Sequence, residues 1–60
     1  MKSQFTSHDE AKKYLEDKGE LKYWGREVSE YVYTLTVGVK VYHLLVHPNG
    51  KVRVIDERYK

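Results

Sequence analysis

From Leu21 onward the chain alternates apolar and polar side chains with a period of two, and Tyr, Val, Thr and Trp dominate. That is the pattern of strands with one face turned to a core. The residues before it read as a helix. Ser7-His8-Asp9-Glu10 matches a capping box, in which the Ser7 hydroxyl accepts from the amide of residue 10 and the Glu10 carboxylate reaches back to the amide of residue 7. Asp9 and Glu10 also suit the positive end of the helix dipole. Good helix formers follow through Lys18, and Gly19 is expected to supply the left-handed residue that ends the helix. Ala11, Tyr14 and Leu15 form a narrow apolar stripe beside the stem of Lys18, so this helix needs a surface to lie on.

Turn chemistry sets the register of the strands. In His47-Pro48-Asn49-Gly50-Lys51, Pro suits the first turn position, Asn the second and Gly a left-handed bulge site, which predicts a three-residue hairpin loop. A two-residue Asn-Gly loop would place Pro48 at a ladder position that needs its missing N–H. Pairing His47 with Lys51 sets Val46 opposite Val52 and Leu44 opposite Val54, keeping apolar side chains on one face; it also sets His43 opposite Ile55. Upstream, Val37-Gly38-Val39-Lys40 predicts a type II′ turn, with Leu35 opposite Tyr42, Tyr33 opposite Leu44 and Tyr31 opposite Val46. One face then carries Tyr31, Tyr33, Leu35, Tyr42, Leu44, Val46, Val52 and Val54 as the core. The first strand, about Glu20 to Arg26, is open in phase, because Glu27 to Glu30 holds no decisive turn residue. In phase, Leu21 and Tyr23 join the core and Trp24 points away; a one-residue slip reverses them. Arg58 to Lys60 read as a loose end. The expected fold is α+β: a single domain over residues 1–60, with a short N-terminal α-helix packed on one face of a four-stranded antiparallel β-meander.

One helix covers one side of a sheet, so the opposite side faces water or a partner. These registers place Val32, Thr34, Thr36, Val41, His43, Leu45, His47, Lys51, Arg53 and Ile55 there, with Trp24 if the first strand is in phase. Val32, Leu45, Ile55 and Trp24 would form an apolar centre rimmed by Thr, His, Lys and Arg, the composition of an interface.

Composition adds three constraints. Sixty residues, 40% hydrophobic and 33% charged, make one small folded unit. Such a chain buries only about 60% of the surface its unfolded form exposes. Without cysteine it has no disulfide, zinc-thiolate or thiol chemistry to add stability. No apolar run approaches the roughly 20 residues of a membrane span, and Met1 to Phe5 lack a signal-like apolar stretch, so a cytoplasmic location without membrane association is expected. The formal net charge of +2 is modest, but it is unevenly spread. Residues 1–30 hold six basic and seven acidic side chains, residues 31–60 five and two, and no acid falls between Tyr31 and Ile55.

Catalytic chemistry is absent from the pattern. There is no Gly-rich phosphate loop, nucleophile elbow or His-Glu-x-x-His motif, and the acid pairs Asp9-Glu10 and Glu16-Asp17 lie on a short solvated helix. His43 and His47 are four residues apart on a strand, about 13 Å, too far to share a metal ion. His8 is expected to contact solvent. No cofactor, no metal and no enzymatic activity are expected.

The stretch Tyr42-His43-Leu44-Leu45-Val46-His47-Pro48-Asn49-Gly50-Lys51-Val52-Arg53-Val54 resembles the central hairpin of HicA-type messenger-RNA interferases, small toxins with a catalytic strand histidine. It covers about a quarter of the chain. The pattern departs at Val41-Tyr42, where that family carries Gly-Ser before its histidine, in the duplicated strand between helix and hairpin, and in the lack of a following helix. The catalytic role the resemblance implies is therefore not carried onto His43.

Two functional expectations remain. The first is a non-catalytic protein-binding module, of inhibitor or adaptor type or self-associating, that meets another protein or a second copy through Trp24, Val32, His43, Leu45, Arg53 and Ile55. The alternative is nucleic-acid binding through Lys40, His43, Lys51, Arg53 and Arg58. Against the alternative, most tyrosines fall on the core face, away from any base-stacking platform.

Overall fold

A computed structural model describes residues 2–60. Helix α1 spans His8–Lys18 and is followed by β1 (Glu20–Glu27), β2 (Glu30–Val37), β3 (Lys40–Val46) and β4 (Val52–Tyr59). The strands form one antiparallel sheet in the order β1-β2-β3-β4, with α1 lying across β1 and β2. The α+β meander expected from the pattern is the observed fold.

Both ends of α1 are made differently from expectation. Ser7 Oγ accepts from the Glu10 amide at 3.2 Å, as a capping box requires. The Glu10 carboxylate, however, reaches one residue further back and accepts from the Thr6 hydroxyl at 2.9 Å and the Thr6 amide at 3.3 Å. At the other end Gly19 is extended, with φ 176°, rather than left-handed. Glycine is needed there for space, since a Cβ would run into the Thr36 carbonyl of β2.

The two predicted turns hold. Gly38 has φ +62° while Val39 does not take positive φ, and β2 pairs with β3 with Leu35 opposite Tyr42, Tyr33 opposite Leu44 and Tyr31 opposite Val46. The His47–Lys51 loop closes by a His47 amide to Lys51 carbonyl bond of 2.8 Å, with Gly50 at φ +95°. Asn49 Oδ1 accepts from the Lys51 amide at 3.0 Å and His47 Nδ1 from the Asn49 amide at 3.1 Å, so the loop's polar side chains hold its shape. In the β1–β2 connection Val28, at φ +54°, takes the position glycine would favour, which is why no turn signal stands there.

Each edge strand carries one bulge. Tyr23 pairs with Tyr33 and Gly25 with Val32, leaving Trp24 as the extra residue of β1. On β4, Leu44 pairs with Val54 and His43 with Asp56, leaving Ile55 extra. The expected His43–Ile55 pair is thus corrected to His43–Asp56. β1 is in phase, with Leu21 opposite Leu35 on the helix side, but Tyr23, expected to join the core there, is 58% exposed on this edge strand.

The core on the helix side comprises Phe5, Ala11, Leu15, Tyr33, Leu35, Leu44, Val46 and Val52, with Tyr14, Leu21, Tyr31 and Tyr42 packed around it. Val54, expected in the core, is 45% exposed because α1 does not extend over that part of β4. The pattern gave no hint of Phe5's role. Residues 3–5 lie against the start of β4, with the Val52 amide donating to the Ser3 carbonyl at 2.8 Å and the Phe5 amide to the Gly50 carbonyl at 2.9 Å. This strap seats Phe5 beside Tyr14, ring centres 5.0 Å apart, and closes the core beyond the helix. The C-terminal residues are not loose, as β4 runs to Tyr59 and the Lys60 amide donates to Val39 at 2.7 Å.

Candidate interaction surface

The pairings arrange the bare face in rows across the four strands. Gly25, Val32, Leu45 and Arg53 make one row, Lys22, Thr34, His43 and Asp56 the next, and Glu20, Thr36, Val41 and Arg58 the third. The first row is apolar through its middle and the other two are polar. Val32 and Leu45 are both buried without belonging to the helix-side core, so neighbouring side chains on the bare face already cover them. Beside this floor, the bulge residues Trp24, at 73% exposure, and Ile55, at 48%, are apolar side chains left open to water. Trp24 stacks on none of the helix-side rings of Tyr23, Tyr31 or Tyr33. Of the six expected contact residues, Val32 and Leu45 therefore form the floor, Trp24 and Ile55 stand exposed at the edges, Arg53 is exposed at the end of the row and His43 is half-buried beside it.

Part of the charge on this face is self-matched. Asp56 accepts from Arg58 Nε at 2.8 Å, and that hydrogen bond, ahead of the Arg58 charge itself, holds the Asp56 carboxyl below its ordinary range. His43 thus faces a carboxylate already engaged by arginine. The expected phosphate-binding set is divided. Lys40 lies on the helix side, over the rings of Tyr42 (5.0 Å) and Tyr59 (5.8 Å) and 3.6 Å from Glu57 Oε2. Its pKa is raised, first by the Tyr42 hydroxyl and then by Glu57 among other neighbours. Lys51 sits in the hairpin loop opposite Gln4, and Arg58 is tied to Asp56, which leaves Arg53 and His43 together on the bare face.

His8 does not project into solvent. Its Nε2 lies 2.9 Å from the Tyr33 hydroxyl and its ring 4.6 Å from Tyr31, docking the first turn of α1 onto β2. Burial first, with nearby Tyr23 and Tyr31, raises the Tyr33 pKa, so the hydroxyl stays protonated and available to this bond. The contact joins residues 25 apart in sequence, and no local signal marks it. Also on the helix side, Tyr14, Lys18, Val37 and Tyr42 line an open groove of about 330 Å³.

Among the described residues no three His, Asp or Glu side chains converge as metal ligands, and no helix is long and apolar enough to cross a membrane. No protein-family model, curated protein or solved structure matches the chain, and the hairpin resemblance to the interferases receives no support from them.

Proposed function

We propose that this chain is a small non-catalytic protein-binding module of inhibitor or adaptor type, which docks another protein on the sheet face that α1 leaves bare. The observation that carries this reading is the row Gly25, Val32, Leu45 and Arg53 with the bulge residue Trp24 next to Gly25: an apolar floor with a large uncovered aromatic beside one end and an arginine at the other. Exposed Trp and Arg around an apolar centre are the residue types that dominate binding energy when a partner excludes water from them. The ion pairs of Lys40 with Glu57 and of Arg58 with Asp56 weigh against a phosphate-binding role, since a phosphate contact by either cation would first have to break one of them.

The test is capture of a partner by the tagged chain at low and high salt, with Trp24→Ala, Ile55→Asp and, as an exposed control in the β2–β3 turn, Val39→Asp. Binding that persists at high salt and falls by about 30-fold or more in the first two variants alone supports the reading. Salt-labile binding to nucleic acid, with a log-log slope near −2 to −3, overturns it, as does capture indifferent to Trp24 and Ile55.

A further inference from the structure

The two edges of the sheet differ in how completely the chain satisfies them. β4 is paired at its start by the residue 3–5 strap, and its Asp56 and Glu57 are matched by Arg58 and Lys40. Among the described residues no strand pairs with the outer side of β1. Along it Tyr23 and Trp24 are 58% and 73% exposed, and Lys22 meets Glu20 only in a solvent-exposed contact of 3.5 Å. Glu27 stands directly opposite Glu30, like charge against like, and among the described residues neither carboxylate is in an ion pair.

We propose that a second copy of the chain pairs with this edge, β1 against β1, antiparallel about a two-fold axis perpendicular to the sheet and passing between Trp24 and Gly25. The bulge makes the edge self-complementary. In a regular strand Lys22 and Glu27 would point to opposite faces, and a two-fold that preserves the faces could not pair them. The extra residue shifts the alternation by one. Lys22, opposite Thr34, and Glu27, opposite Glu30, now share the bare face, while Tyr23, opposite Tyr33, and Arg26, opposite Tyr31, share the helix face. Centred as proposed, Lys22 of each copy meets Glu27 of the other, and Tyr23 of each meets Arg26 of the other. Arg26, already 5.7 Å from the Tyr31 ring centre, would then lie between two tyrosines. The second copy's lysine also supplies the cation that the Glu27–Glu30 pair lacks. A bulge ordinarily protects an edge, because a flat foreign strand cannot follow it. An identical strand carries the matching irregularity, which is why the occupant is this chain itself.

Sedimentation velocity from micromolar to millimolar concentration tests the proposal. The expected result is a monomer–dimer equilibrium that weakens with salt. Lys22→Glu and Glu27→Lys should each raise the dissociation constant by about 10- to 30-fold, because two attractive cross-strand pairs become repulsive. The combined exchange K22E/E27K should restore it, with circular dichroism showing all three variants folded. A wild-type chain that stays monomeric at millimolar concentration overturns the proposal. So does a dimer unaffected by either single reversal, a double exchange that does not recover, or a dimer broken by Arg53→Glu instead.

Discussion

Val28 is a branched residue held at φ +54° in the β1–β2 turn and 93% exposed, so replacing it removes backbone strain while sacrificing almost no packing. The left-handed region costs an L-residue about 1–2 kcal/mol, with branched side chains at the upper end. Glycine relieves that cost but adds about 0.5–1 kcal/mol of unfolded-chain entropy. Val28→Gly should therefore stabilise the fold by about 0.5–1 kcal/mol, which for a domain of this size raises Tm by roughly 2–8 °C. The β2–β3 turn provides an internal control of the same residue type. Val39 is also exposed, but the positive φ there belongs to Gly38, so Val39→Gly gains nothing from strain and loses about 0.5–1 kcal/mol. Thermal melts followed by circular dichroism, with urea titrations for the sign, should show the two valine-to-glycine changes moving Tm in opposite directions. A lower Tm for Val28→Gly, or the same direction for both, would refute the reasoning.

Three further outcomes follow from contacts described above. Gly50→Ala should cost about 2–4 kcal/mol in urea unfolding, because φ is +95° and the new Cβ would lie 2.7 Å from the Phe5 carbonyl carbon and 2.9 Å from the Ser7 nitrogen. Tyr33→Phe should cost about 1 kcal/mol through loss of the His8 bond, and a double-mutant cycle with His8→Ala should show the two changes to be non-additive. The Glu10 carboxyl is held below its ordinary range, first by the Thr6 hydroxyl and then by the Thr6 amide. Its ionised form therefore adds stability above about pH 4.3, and that contribution disappears as pH falls through the lowered folded-state value. The Tm difference between wild type and Glu10→Gln should close over that acid range; a difference unchanged down to pH 2 would show that Glu10 acts otherwise.

The parts of this molecule legible in its residues are those governed by local chemistry. Ser7 and Glu10 mark the helix start, Gly38 marks one turn and Pro48-Asn49-Gly50 the other, and from these turns the β2–β3 ladder and the first pairs of β3–β4 follow. Both bulges escape such reading, because neither needs a special residue: Gly25 has no positive φ, and Ile55 is an ordinary strand former. The β4 bulge moves the partner of His43 from Ile55 to Asp56. The Phe5 strap and the His8–Tyr33 contact leave no local signal either, since each depends on segments far apart in sequence. On the bare face, alternation alone places the central residues Val32, Leu45, His43 and Arg53 on the correct side. Charge alone groups Lys40 with His43 and Arg53, although its pairing with Tyr59 and its position over Tyr42 put it on the helix side.

The strap has a consequence for the order in which the fold opens. Two backbone bonds hold the strap to the sheet, Phe5 to Gly50 and Val52 to Ser3, whereas each strand of the meander is held along its length. Fluctuations of the native protein should begin by peeling that segment away, uncovering Val52 and the floor beneath Phe5 while the meander stays zipped. Amide exchange should register this as faster deuterium uptake at Phe5 and Val52 than at Leu35, making residues 3–5 the fold's own release point.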